Sequence, residues 1–306
     1  MASILSVSRR IPFRLILTTL CGFGFALACT AFGQEPKLAS AIPKIQEYIQ
    51  NSGADVAVAF RTRDGKSEWF FRADEPFHAA STMKIPVLIE LFHQAREGKL
   101  RLDQPIAVHN EFHSIVDGSS YALDPGEDSD AGLYKFEGQT RTAAELSELM
   151  ITVSSNLATN LLIEKLGIEN IRAMVHSLNA DGMKVLRGVE DNKAYDLGLN
   201  NTTTARGLLQ LLEAVARGKA VDEEASRQMV AILERQKFRE GIPAGLPAGT
   251  RVAHKTGEIT KIHHDAAIVY APRPFVLVVL VRGLAESKES AEVIANVTRK
   301  LYRATQ

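Results

Sequence analysis

The sequence predicts an α/β (α+β) fold: one antiparallel sheet built from N- and C-terminal strands and flanked by helices, with an all-helical subdomain inserted between its halves. Three observations predict it. Strand-like runs cluster near both ends of the chain, the stretch between them carries helical periodicity, and no internal repeat divides it.

Taken in order, Pro43 to Gln50 belongs to an N-terminal helix that stops near Asn51-Ser52-Gly53. Asp55 to Arg61 and Ser67 to Arg72 are strand-like runs on either side of Asp64-Gly65, a strong hairpin signal. Met83, Val87, Leu88 and Leu91 recur at helical spacing, so Ser81 falls at or just inside a helix start, and the helix ends near Gly98. Pro86 lies near its first turn, where a missing backbone donor costs least. From Leu102 to Gly138 the pattern loosens, and Asp124 to Asp130 reads as a solvated loop rather than a cation site. Thr142-Ala143-Ala144-Glu145 is a capping box that opens a helix through Ile151. Val153 to Asn156 interrupts it, and helix resumes from Leu157 to Lys165, until Gly167.

Further helices are expected from Glu169 to Leu178, Thr204 to Arg217 and Glu223 to Arg235. Between the first two lies an irregular stretch, Arg187 to Asn201, too polar for core. After a turn-rich connection from Pro243 to Gly249, strands at Thr250 to Lys255, Asp265 to Tyr270 and Phe275 to Arg282 complete the sheet. A last helix covers Ala285 to Tyr302. The sheet part then spans about 34–80 and 245–306 and the helical part about 81–244, one domain at 34–306 with the cleft between its parts as the natural site.

The 306 residues are 45% hydrophobic and 24% charged, enough apolar material for a sizeable core. Residues 1–33 have the pattern of a signal peptide. Arg9, Arg10 and Arg14 precede an apolar run from Leu15 to Phe32, and Ala31-Phe32-Gly33 offers small residues for cleavage before Gln34. That run is short and glycine-broken, which argues against a retained membrane anchor. Leu27-Ala28-Cys29 is a poor lipoprotein signal because Ala26 stands before it. A periplasmic or secreted protein is expected. Without the leader's three arginines, 33 basic residues face 36 acidic ones, and no basic stripe points to nucleic acid. Both cysteines, Cys21 and Cys29, lie in the leader, so the mature chain has no disulfide and no thiol nucleophile. No second long apolar run exists, so no stable membrane insertion is expected after cleavage. His109 and His113 flank Glu111 without the zinc-protease order, and adjacent His263 and His264 would point oppositely on a strand. No metal and no cofactor are expected.

Chemistry is concentrated in three short motifs. In Ser81-Thr82-Met83-Lys84, a three-residue step puts hydroxyl and amine on one helix face. A lysine can take a serine's proton only if burial or another cation lowers its pKa. The helix start adds free N–H groups and partial positive charge, both suited to a developing oxyanion. Ser154-Ser155-Asn156 sits at the helix interruption, and Lys255-Thr256-Gly257 at the end of a strand. Each alone has a plainer reading, as a chance tetrapeptide, a pair of helix caps or an exposed strand-end charge. Their joint order defeats it.

With these motifs in this order, the chain resembles the penicillin-recognising serine enzymes, and most closely the class A β-lactamases, over roughly Pro43 to Tyr302. The likeness extends around each motif, through Leu149 to Asn160 and through Ala253 to Glu258. It implies a β-lactamase/transpeptidase-like fold and an exported serine hydrolase that opens β-lactam rings through an acyl-serine intermediate. By resemblance, Ser81 is the nucleophile, Lys84 accepts or relays its proton, and Ser154 protonates the departing ring nitrogen. Asn156 would bind the substrate side-chain amide, and Lys255 and Thr256 its carboxylate. Gly257 would let the strand approach the ligand, and the N–H groups of Ser81 and Glu258 would form the oxyanion hole. Asn160 resembles the asparagine that braces the loop carrying the deacylation base.

Two departures qualify the likeness. Ser155 stands where class A enzymes usually have an aspartate. The loop before Thr202-Thr203-Thr204 is about two residues short, with Asn201 where the family has an aspartate bridging to an arginine. Glu190, in Arg187-Gly188-Val189-Glu190-Asp191-Asn192, is then the glutamate available for deacylation, ahead of Asp191 and Asp196. The shortened loop keeps two alternatives in play: a D-Ala-D-Ala carboxypeptidase or transpeptidase acting on a peptidoglycan stem peptide, and a non-hydrolytic penicillin-binding sensor domain. A monomer is expected in every case.

Overall fold

The computed structural model describes residues 36–306, and the signal-peptide reading of 1–33 falls outside the described residues. Helix α1 (Pro36–Asn51) feeds a hairpin of β1 (Asp55–Thr62) and β2 (Glu68–Phe71), with Val58 opposite Phe71. Its turn is held by the Asp64 carboxylate, which accepts from the Thr62 hydroxyl at 2.6 Å and the Lys66 N–H at 3.0 Å. A short strand, β3 (Phe77–His78), enters a 3₁₀ turn at Ala80–Met83 and then helix α2 (Lys84–Arg96). Helix α2 is apolar nearly all round and is buried accordingly, from Ile85 through Phe92. Its start is a correction to the sequence reading: Ser81 lies in the 3₁₀ turn, and the α-helix begins at Lys84. Lys84 is thus the first residue of the α-helix, directly after the turn that carries Ser81.

The inserted part is not purely helical. Four short strands, β4 (Pro105–Ala107), β5 (Phe112–His113), β6 (Ser120–Tyr121) and β7 (Thr140–Thr142), form two ribbons, β4 with β7 and β5 with β6. Helix α3 (Ala143–Thr152) opens on the predicted capping box, with Thr142 and Glu145 bonded reciprocally. Helices α4 (Asn156–Leu166) and α5 (Ile168–Ser177) follow. A short helix α6 (Asn192–Asp196) interrupts the irregular stretch before β8 (Thr202–Thr203), which pairs with β3. Then come α7 (Ala205–Ala216) and α8 (Glu223–Glu234), capped by Thr204 and Asp222.

The chain closes with β9 (Arg251–Ile259), β10 (Ile262–Tyr270), β11 (Phe275–Arg282) and α9 (Ser287–Thr305). The antiparallel sheet runs β2-β1-β11-β10-β9, and the β1–β11 pairing, Val58 opposite Val279, joins the two ends of the chain. Strands β9 and β10 are longer than their apolar runs suggested, because polar residues near the tip pair as well. Lys255-Thr256-Gly257 therefore lies inside β9, with Glu258 and Ile259 still to follow, and not at its end. One face of the sheet packs Val58, Phe60 and Val279 against Ile45 of α1 and Val293, Ile294 and Val297 of α9. The other packs Ala57, Ala59, Val278 and Leu280 against α7 and the insert. Strand β11 is covered on both faces, which is why its sequence is continuously apolar.

This arrangement presses β9 onto the 3₁₀ turn. A Cβ at Gly257 would lie 3.0 Å from the backbone nitrogens of both Ser81 and Thr82, too close for any larger residue without displacement.

Candidate active site

Two lysines and a serine from three elements converge. Lys84, at the start of α2, and Lys255, inside β9, are both fully buried. Ser154 Oγ stands between them, 3.1 Å from Lys84 Nζ and 3.0 Å from Lys255 Nζ. Ser154 reaches this point because α3 ends at Thr152 and α4 starts at Asn156. The connection turns through a left-handed backbone at Ser154, φ 62°, which costs about 1–2 kcal/mol in a residue with a Cβ. Lys84 Nζ donates further to Ser154 O at 2.6 Å and to Asn156 Oδ1 at 2.9 Å, and Lys255 Nζ to Thr256 O at 2.8 Å.

Burial brings the Lys84 pKa down to about 7, against the opposing pull of Asp128 and Glu190. Burial, reinforced by the Lys84 charge, holds Lys255 well below the ordinary lysine range. Two ammonium groups cannot comfortably share one hydroxyl oxygen in a water-poor wall. With one amine neutral, Ser154 donates its proton to that amine while accepting from the other, and a proton can pass through it in either direction.

Ser81 lines a cleft of about 520 Å³ together with Ser154, Asn156, Thr256 and Glu258. A second cavity of about 300 Å³, lined by His78, Val189, Glu190 and Tyr195, also reaches Ser81, Asn156 and Glu258. Ser81 therefore stands where the two spaces meet. The Glu258 side chain is exposed, and its backbone follows Gly257 along the strand that lies on the Ser81 turn.

The far wall belongs to the loop from Arg187 to Asn201. Glu190 Oε1 accepts from Asn156 Nδ2 at 2.8 Å, and Oε2 accepts from the Asp124 N–H at 3.1 Å. Burial raises the Glu190 pKa over the opposing effect of those two bonds, and Asp128 and Asp124 add to the rise. The residue itself is left-handed, at φ 61°. Asn160 braces the loop as the resemblance implied: Oδ1 accepts from the Val189 N–H at 2.7 Å and Nδ2 donates to Val189 O at 3.0 Å. Asn201 accepts from the N–H groups of Leu186 and Arg187 and donates to Arg187 O, all within 3.1 Å. A neutral amide thus closes the loop through backbone, and the Arg187 guanidinium turns to Leu199 O, Gly188 O and Asn200 Oδ1. Asp191 is buried and accepts from Ser114 Oγ, the Ile115 N–H and the Ala194 N–H, a bracing set; Asp196 is exposed on α6.

Three sequence readings change here. The stretch from Arg187 to Asn201 is not excluded from the interior, because Arg187, Asp191 and Asn201 satisfy their polar groups against backbone and are buried. Asn156 is engaged at both ends of its amide, by Lys84 and by Glu190, so it links the two halves of the site besides facing the cleft. The acidic loop is not wholly solvated. Asp128 is buried, and its carboxylate accepts from the N–H groups of Asn156 and Leu157 and from Tyr134 OH, each at about 2.9–3.0 Å. It supplies a negative charge at the start of α4, where the serine at position 155 has only a hydroxyl, which caps Ala158 N–H. No sequence signal separated Asp128 from its acidic neighbours. His109 pairs with Glu164 at 2.8 Å, while His263 Nδ1 faces Ser287 Oγ and His264 Nε2 donates to His78 O, the opposed directions that strand alternation requires.

A serine shared by two cavities, a second serine held between two buried lysines in the cleft wall, and an antiparallel sheet with a largely helical insert define a serine hydrolase of the β-lactamase and penicillin-binding class. The chain belongs to the beta-lactamase enzyme family, whose model matches residues 40–305. It is 28% identical over 253 residues to beta-lactamase CTX-M-97 of Escherichia coli, covering 81% of this chain and 82% of that one. Among solved structures it is similar to an ancestral (GNCA) class A β-lactamase, with 28% identity, TM-score 0.73 and coverage of 87% and 99%. It is also similar to PBP-A, with 25% identity, TM-score 0.75 and coverage of 89% and 98%. The protein is a serine β-lactamase-like hydrolase, and β-lactam hydrolysis is the activity of its family.

Proposed function

We propose that the mature, exported protein opens β-lactam rings by forming and then hydrolysing an ester on Ser81. One observation carries the reading: Ser154 Oγ is held 3.1 and 3.0 Å from two buried lysine amines in the wall of the cleft that Ser81 lines. The Ser81 hydroxyl proton passes to neutral Lys84 as Oγ attacks the lactam carbonyl, and the Ser81 and Glu258 N–H groups take the oxyanion. The ring C–N bond breaks, Ser154 protonates the nitrogen, and the adjoining lysines restore the Ser154 proton. Lys255 and Thr256 attract the substrate carboxylate, with Gly257 admitting it to the strand. In the second half, Glu190 takes a proton from water, hydroxide attacks the ester, and Ser81 leaves with its proton restored. The Glu190–Asn156–Lys84 chain supports that assignment, since it ties this carboxylate to the nucleophile's own base.

A second reading, a penicillin-binding peptidase that is acylated and released slowly, is favoured by the likeness to PBP-A, a mutant of which was solved as an acyl-enzyme complex with penicillin G. One experiment separates them. Purified residues 34–306 are mixed with a chromogenic cephalosporin, and colour is followed beside intact mass. Steady turnover with little adduct is the expected result; a lasting adduct on Ser81 without turnover supports the peptidase, and no adduct and no turnover would end both.

A further inference from the structure

The turn that carries Ser81 is strained, and an imidazole helps to hold it. Ala80 is left-handed at φ 44°, a conformation that disfavours any residue with a Cβ. Its N–H donates to His78 Nδ1 at 3.1 Å, a bond that closes the turn one residue before Ser81. The Ala79 carbonyl takes both the Thr82 N–H and the Thr82 hydroxyl, and the Ala79 N–H goes to Asn201 O at 2.8 Å. His78 also sits on β3, whose partner β8 ends the Glu190 loop, so the same residue borders both halves of the site.

The Ala80 N–H can bond only to an unprotonated Nδ1, which fixes the neutral ring with its proton on Nε2. That Nε2 is buried and meets no acceptor among the described residues. The Ala80 N–H at Nδ1 is what sets the tautomer.

We propose that His78 is a positioning residue for the acyl-transfer reaction: its neutral Nδ1 holds the Ala80 N–H and so sets the Ser81 turn, and protonation of the ring releases it. An imidazolium would present a donor to a donor, and the left-handed Ala80 would lose the acceptor of its N–H. The groups that face the ring from the surrounding elements are mixed in sign, and burial with Arg187 prevails. Burial lowers the His78 pKa, and the cationic Arg187 from the loop adds to it. His264, from β10, donates Nε2 to the His78 carbonyl and stays neutral, its own pKa held by burial near 4. Tyr195, from α6, meets the ring edge-on at 6.1 Å, and Glu190 and Glu258 border the same cavity. This inference rests on Ser81 being the nucleophile.

The experiment uses the mature enzyme and measures the rate of penicillin acylation by rapid mixing and intact mass. An asparagine places Oδ1 where His78 Nδ1 stands, whereas glutamine carries its amide one carbon too far and phenylalanine has none. His78→Asn is expected to keep acylation within about tenfold of the parent, and His78→Gln and His78→Phe to lose about a hundredfold, the scale of a misplaced reacting atom. In acid, the parent should lose acylation with two protons, one on Lys84 and one on His78, and His78→Asn with one. Equal losses in all three variants, or an unchanged two-proton slope in His78→Asn, overturn the proposal. Nitrogen-15 NMR of the parent tests it without any variant: a proton on His78 Nδ1 at neutral pH is equally fatal. Failure of the underlying reading is distinct, because the parent itself would then take no adduct on Ser81.

Discussion

The floor of the site and the loop that faces it are built in opposite ways. The floor, with Lys84, Ser154 and Lys255, is buried where α2, the α3–α4 connection and β9 meet, and two of its three groups are carried by long core elements. The loop from Arg187 to Asn201 has no strand or long helix of its own. It is held by side-chain amides and carboxylates reading backbone: Asn160 on Val189, Asn201 on Leu186 and Arg187, Asp191 on Ile115 and Ala194, and Glu190 on Asp124. Packing determines the half of the machinery assigned to acylation, and polar bonds hold the half assigned to deacylation. Damage to each should therefore appear in a different half-reaction.

The sharpest test removes the proposed base from the floor. Lys84→Met keeps the buried volume but deletes the amine between Ser154 and Asn156. Acylation by penicillin should fall by about 10²–10⁴-fold, the usual worth of a positioned acid–base group. Rapid-mixing mass spectrometry reads it directly, and a rate within tenfold of the parent would remove Lys84 from the mechanism. Glu190→Gln is the matching test of the loop. Its carboxamide can still meet Asn156, so acylation should change little while deacylation slows by about 10²–10⁴-fold and the Ser81 ester accumulates. Equal loss in both half-reactions would erase the contrast between floor and loop.

Acid should separate the halves as well. Lys84 titrates at about 7, depressed, so its neutral form predominates above that pH and acylation should fall as pH drops through about 7. Glu190 is raised above the ordinary glutamate value of 4.5 and must be ionised to take a proton, so deacylation should fail on the acid side of a midpoint above 4.5. Single-turnover rates across pH 4–9 should show acylation falling through about pH 7 and deacylation failing in acid, and a deacylation rate that does not fall in acid would contradict the assignment.

The same contrast decides what could be read from the sequence. Ser81, Lys84, Ser154 and Lys255 were legible because short motifs with fixed spacing encode a rigid floor, and helix and strand periodicity encode the elements that carry it. The loop was legible only in part. Glu190 could be named by elimination, but its anchoring through Asp124 and Asn156 depends on contacts 66 and 34 residues apart, which no local pattern records. Polarity misled at Arg187, Asp191 and Asn201, since burial there follows from backbone partners. Asp128 was hidden for the same reason: among the acidic residues of its loop, only the fold selects the one that meets α4. His78 left no signal either, because its bond to Ala80 depends on a left-handed residue that sequence does not announce.

Asp128 gives the smallest predicted effect and the finest test of how far the loop depends on the floor. Its carboxylate accepts the first two N–H groups of α4 and the Tyr134 hydroxyl, and Asn156 follows directly from that anchor. Asp128→Asn keeps one acceptor oxygen and loses the charge, so thermal or urea unfolding should report a loss of about 1–2 kcal/mol. If Asn156 is the link between Lys84 and Glu190, the catalytic cost should fall on deacylation more than on acylation, because Lys84 keeps its bonds to Ser154 while Glu190 loses a fixed partner. Equal slowing of both steps would instead mean that α4 moves as a whole, and that the loop is as firmly packed as the floor.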